Sequence, residues 1–146
     1  MSIQVRPTTP SDLNAVLALL AEARLPTEGV SQHFADFLVA LANERIVGCV
    51  GLEKYGDAAL FRSLAVAPDW RGKGLGVQLT AQALSYAQAN AVQKVVLLTT
   101  TASEFFARHF SFVPTERNQF NDIFGDSPEW NLSVCASAAC MVLSVP

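Results

Sequence analysis

The chain of 146 residues predicts an α+β (mixed α/β) fold, a central twisted sheet of about seven strands, mixed but mostly antiparallel, flanked by helices. Three observations carry this. Short apolar runs of strand length, separated by turn residues, fill much of the first half. Apolar residues recur at helical spacing in two longer stretches. Between the two halves, a glycine-rich turn joins the end of a strand to the start of a long helix, a crossover that brings the next strand back parallel.

The elements follow in order. Residues 3–6 alternate, with Ile3 and Val5 on one face, and Pro7 closes the strand. Thr8-Thr9-Pro10-Ser11-Asp12 supplies cap chemistry and a proline near a helix start. Leu13, Val16, Leu17, Leu20 and Ala21 then recur at helical spacing until Pro26 stops them. Residues 27–37 read as a second short helix, with Val30, Phe34 and Phe37 on one side. Strands over 37–42 and 46–53 flank the turn Asn43-Glu44-Arg45, and a strand over 60–67 follows Tyr55-Gly56-Asp57-Ala58, where Gly-Asp between apolar runs signals a hairpin. A helix over 75–91 and a strand over 94–99 come next. A short helix over 102–108 and closing strands over 112–116 and 139–145 complete the chain. Without repeats, linkers or low-complexity tracts, residues 1–146 are expected to form one domain.

Composition excludes some partners. The net charge of −3 argues against nucleic acid, which needs a broad basic surface. Hydrophobic residues make up 51% of the chain and the mean hydropathy is +0.28, so the polar surface is thin. Residues 1–6 lack the apolar core of a signal peptide. The uncharged stretch 130–146 contains Asn131, three serines and Pro146. Its strongly apolar part, 138–145, falls short of the ~20 residues a membrane span needs and reads as a buried strand. That strand is suited to pairing across a homodimer. Cys49, Cys135 and Cys140 cannot all pair, which fits free thiols in a reducing cytoplasm. Their spacing is not that of a metal site, so no metal is expected.

The most informative string is Arg71-Gly72-Lys73-Gly74-Leu75-Gly76, preceded by Val66-Ala67-Pro68. Glycines admit close backbone approach, and a helix start offers unpaired N–H groups and partial positive charge. Together they make an anion site suited to a pyrophosphate. It is neither a P-loop, lacking G-x-x-x-x-G-K-[ST], nor a dinucleotide fingerprint, lacking the third glycine and an early strand.

R-x-x-G-x-G after V-x-P resembles the acetyl-CoA loop of the GNAT superfamily of N-acetyltransferases, and the order of elements is similar over most of the chain. Gly51-Leu52-Glu53-Lys54-Tyr55-Gly56-Asp57, Arg62-Ser63-Leu64-Ala65-Val66, Leu97-Leu98-Thr99-Thr100-Thr101-Ala102 with Phe105-Phe106, and Cys135-Ala136-Ser137-Ala138-Ala139-Cys140-Met141 further resemble the small N-acetyltransferases found with arsenic-resistance genes. Those in turn are similar to the acetyl-transferring domain of N-acetylglutamate synthase. The resemblance implies acetyl-CoA as co-substrate and, as acceptor, the primary amine of a small molecule, an amino acid or an analogue, arsenic-containing ones included. It implies that Arg71, Gly72, Lys73, Gly74, Leu75 and Gly76 hold the pyrophosphate. The backbone of Leu64, Ala65 and Val66 would run along the pantetheine arm with Phe105 against it, and an N–H of Leu64 or Ala65 would stabilise the oxyanion. His33 would fall on the acceptor wall. One departure stands out: where the superfamily often carries a general-acid tyrosine after the fifth strand, this chain has Phe105-Phe106-Ala107.

The residues suggest a base. If Gly56-Asp57 is the turn, Glu53 lies opposite Leu60 and diagonal to Arg62 on one face. Glu53 could then deprotonate an acceptor ammonium while Arg62 forks onto its carboxylate. The alternative is a structural ion pair on a half-exposed sheet. Two other functional readings stay open. The acceptor could be an aminoglycoside, a polyamine or a protein N-terminus, met by an acidic wall of Glu22, Glu28, Asp36, Asp122, Asp126 and Glu129. Or the missing tyrosine could mark a non-catalytic acyl-CoA sensor.

Overall fold

A computed structural model describes residues 2–132 and 135–146. Among these, seven strands form one sheet in the order β1-β2-β3-β4-β5-β7-β6. They are β1 (Gln4–Pro7), β2 (Phe37–Ala42), β3 (Arg45–Tyr55), β4 (Ala58–Val66), β5 (Lys94–Thr99), β6 (Val113–Pro114) and β7 (Ala139–Ser144). Four α-helices accompany them: α1 (Leu13–Glu22), α2 (Leu75–Ala89), α3 (Ser103–Phe110) and α4 (Asn121–Phe124). All neighbours are antiparallel except β4 and β5, which α2 joins as a parallel pair.

Strand alternation sorts the core into two faces. Ala59, Phe61, Val95 and Leu97 join the large cluster with the apolar sides of α1, α2 and α3. Leu60 and Val96 point the other way, into a smaller cluster with Phe120, Phe124, Trp130 and Cys140. The segment that covers this second face, a 3-10 turn over Arg117–Phe120 followed by α4, has no counterpart among the sequence-predicted elements.

Other boundaries depart from expectation. Residues 27–37 form no second helix but a run of turns with a 3-10 turn at Phe34–Asp36. Gly29 adopts φ +82, a left-handed value, and its Cα lies so close to Pro128 and Arg62 that a Cβ would approach them to 3.0 and 3.2 Å. Val30, Phe34 and Phe37 are nonetheless buried. α2 stops at Ala89, short of the expected 91, because Ala91 turns left-handed at φ 64. β6 shrinks to two residues. β7 does not stand at an edge: β5 and β6 flank it, so its apolar strand is used within the sheet. No helix among the described residues is long and apolar enough to cross a membrane.

Candidate active site

The site begins where β4 and β5 part. Their parallel pairing ends at Phe61↔Leu97, although β4 continues to Val66 and β5 to Thr99. A bulge helps to drive the separation. Cys49 pairs with Ala65 and Gly51 with Arg62, so Ser63 and Leu64 together face Val50, and Ser63 takes φ 63. Beyond the bulge, the Ala67 amide bonds Val47 on β3, and the Val66 carbonyl turns the other way to accept from Arg71 Nε at 3.0 Å. Backbone groups alternate along a strand, so Leu64 and Val66 present theirs on the open edge while Ala65 faces β3.

Two recesses flank this edge. One, of about 290 Å³, is lined by Val66, Trp70, Arg71, Gly72, Gly74, Leu75, Gly76, Val77 and Phe105. Gly74 caps α2 at φ 82, a conformation that only glycine adopts without strain. The first helical bond runs from Gln78 to the Gly74 carbonyl, and none of the amides of residues 72–77 donates to a described group. No acidic residue occupies the helix's first turn. The result is a cradle of free amides at the positive end of a helix dipole. Its cations are partly engaged: Arg71 Nη2 bonds Glu22 at 2.8 Å, and the Lys73 ammonium lies 5.6 Å from the centre of the Trp70 ring.

The other recess, about 280 Å³, is lined by Arg24, Pro26, Phe61, Arg62, Ser63, Leu64, residues 97–102, Phe106, Glu129, Cys135 and Ala138. Ala65, Glu53 and His33 line neither recess. The sheet register places Glu53 opposite Leu60, and Arg62 meets it diagonally at 2.7 Å. The pair is not half-exposed: both side chains are 0% accessible, with Pro26, Glu28 and Glu129 packed about Arg62 and with Tyr55 and His33 about Glu53. Glu53 accepts from Tyr55 at 2.7 Å through its other oxygen, with His33 Nε2 at 3.6 Å. Arg62 uses four of its five N–H donors, to Ser63 Oγ, to Glu53, and to the carbonyls of Glu28 and Pro26.

Glu129 is the one carboxylate lining this recess among the described residues. Sequence reasoning counted it only within an acidic wall. Its chain neighbour Trp130 is fixed on both sides: Ser127 Oγ accepts from the Trp130 amide, and Asn121 Oδ1 from the Trp130 indole. Burial pushes its pKa up to about 7, reinforced by Glu53 and Glu28, against the pull of Arg62 at 3.6 Å. Arg62 is already neutralised at closer range by Glu53, which weakens that pull. Cys135 also lines the recess, and burial raises its thiol pKa, so it stays protonated. Cys49, fully buried, is pushed up to about 12. Neither Tyr55 nor Tyr86 lines either of these two recesses; Tyr86 donates to Asp36 at 2.6 Å.

Residues 33–112, more than half of the chain, match the family model described as an acetyltransferase (GNAT) domain. An uncharacterised N-acetyltransferase of Chlorobaculum tepidum is 35% identical over 82 residues, which make up 56% of this chain and 52% of that protein. The matched stretch spans about half the length of the curated relatives. Among solved structures, N-acetylglutamate synthase from Neisseria gonorrhoeae, complexed with coenzyme A and N-acetyl-glutamate, superposes with a TM-score of 0.84 at 19% identity, covering 100% of this chain and 36% of that one. A Mycobacterium tuberculosis protein in complex with CoA superposes with a TM-score of 0.80 at 25% identity, covering 98% of this chain and 99% of that one.

Proposed function

The chain belongs to the GNAT acetyltransferase family, and from that premise we propose that it transfers the acetyl group of acetyl-CoA directly to the primary amine of a small acceptor, an amino acid or an analogue of one. The observation that carries this is the open edge of β4, which connects an amide cradle at the start of α2 to a recess holding Glu129.

In this reading the pyrophosphate sits on the amides of residues 72–77, with Arg71 and Lys73 beside it. The pantetheine arm lies along Leu64 and Val66, with the Phe105 ring by the cradle. Ala65 shapes that edge through its bond to β3. The thioester carbonyl then meets the outward amide of Leu64, and one such donor is typically worth ~3 kcal/mol in the transition state. Bringing thioester and amine together adds ~7–11 kcal/mol in favourable cases. These terms allow useful rates without a tyrosine to protonate the thiolate. The role of base, expected at Glu53, falls to Glu129, because Glu53 is sealed off by Arg62 and Tyr55. A carboxylate held near neutrality suits that task.

The amino-acid class rests on the likeness to an enzyme whose complex holds N-acetyl-glutamate and on the strings that resemble those of the arsenic-resistance group, a resemblance that would extend the class to arsenic-bearing analogues. The free thiols fit a reducing cytoplasm. A thiol-release assay with acetyl-CoA and a panel of amino acids, aminoglycosides, polyamines and peptides tests the proposal. Release confined to amino acids supports it. Tight acetyl-CoA binding with no release for any amine would make the chain a sensor.

A further inference from the structure

An enzyme that tells an amino acid from other small amines needs a cation for the carboxylate. Arg62 lies in the right recess, but its guanidinium is wholly buried and donates to four protein groups. A carboxylate could reach it only by displacing the groups that bury it. Arg24 lines the same recess, is exposed, and its side chain has no hydrogen bond or ion pair among the described residues.

Its backbone is set by the end of α1. Arg24 directly follows the C-cap of α1 and takes φ 58, with its amide bonded to Ala21 and the Leu25 amide to Leu20. That is the left-handed helix stop that glycine fills without strain, and an L-residue there gives up about 1 kcal/mol. The backbone beneath it is fixed, because Arg62 holds the carbonyls of Pro26 and Glu28.

We propose that Arg24 binds the carboxylate of the acceptor, so that the recess selects α-amino acids over amines without one; this rests on the acetyl transfer proposed above. With the carboxylate on the Arg24 fork, the ammonium faces Glu129, which takes one proton. The freed amine nitrogen bonds to the thioester carbonyl carbon, the C–S bond breaks, and a second proton from nitrogen goes to the departing sulfur. The products are a neutral amide and the CoA thiol, and Glu129 returns its proton to solvent. Arg62 is the positioning residue that holds the 26–28 segment behind Arg24.

The test is steady-state kinetics of the wild type, Arg24→Ala, Arg24→Lys and Arg24→Gly with the proteinogenic L-amino acids, each active acceptor run beside its α-decarboxylated amine. The expected result for Arg24→Ala is a KM about tenfold or more higher for the amino acid. Its KM for the decarboxylated amine, and its CoA affinity by calorimetry, stay as in the wild type, and Arg24→Lys recovers part of the loss. Arg24→Gly relieves the helix-stop strain, so its Tm rises while its KM matches that of Arg24→Ala, which separates recognition from folding. A wild type that acetylates amino acids and decarboxylated amines equally well, or an Arg24→Ala variant that affects both alike, overturns this inference and leaves acetyl transfer standing. A wild type that binds acetyl-CoA yet acetylates no amine overturns both.

Discussion

Glu129 is a side chain whose placement opposes stability. Its folded pKa, about 7, lies above the ordinary carboxylate value, so the folded chain binds more protons than the unfolded one between those values. Stability therefore falls as pH rises through that interval, as the charge forms beside Glu53 and Glu28 with only Arg62 to balance it. Glu129→Gln removes the titration: the variant's Tm matches or trails the wild type at pH 5 and exceeds it at pH 8, read by thermal melts across that range. Its turnover should fall by about 10²–10⁴-fold. The wild-type rise of kcat/KM with pH, levelling above about 7, should flatten in the variant. A profile that keeps its shape would return the base role to another group. The buried partner pair behaves differently. Arg62→Met leaves the Glu53 carboxylate inaccessible and without its ion-pair partner, which costs about 3–5 kcal/mol in chemical denaturation. Adding Glu53→Leu should restore most of it, whereas a pair of purely catalytic importance would show no such recovery.

At the scale of elements, the cradle carries the clearest expectation. Gly74→Trp puts a large ring into open space above the first turn of α2 and forces a left-handed φ on a non-glycine residue. Calorimetry should detect no CoA binding, while circular dichroism shows the fold retained; wild-type affinity would move the phosphate elsewhere. This element was legible because its requirements are local: left-handed backbone, free amides and a following helix are all written within six residues. The Glu53–Arg62 diagonal was legible too, since Gly56-Asp57 fixes the hairpin register. The turns over residues 27–37 were not. Val30, Phe34 and Phe37 recur as on a helix, but Arg62, from β4, takes the carbonyls of Pro26 and Glu28 that a helix would need for its own amides. Residues 117–132 were equally silent, because one helical turn and a 3-10 turn have no period to read. Their position depends on Phe120, Phe124 and Trp130 finding Leu60 and Val96. That is why Glu129, the base proposed above, was read only as part of an acidic wall: its surroundings are built from three distant parts of the chain.

Over the whole molecule, the sheet is a continuous layer that opens at one place. Four rungs, Ala58↔Lys94 to Phe61↔Leu97, hold the halves before and after α2 together. Past them, the two recesses have no lining residue in common. Neither guest need leave before the other enters, and the thiol within reach, Cys135, is protonated and so a poor temporary carrier. Initial-velocity lines for varied donor at several fixed acceptor concentrations should therefore intersect, the mark of a ternary complex. Parallel lines would mean that the acetyl group rests on the protein between two separate visits.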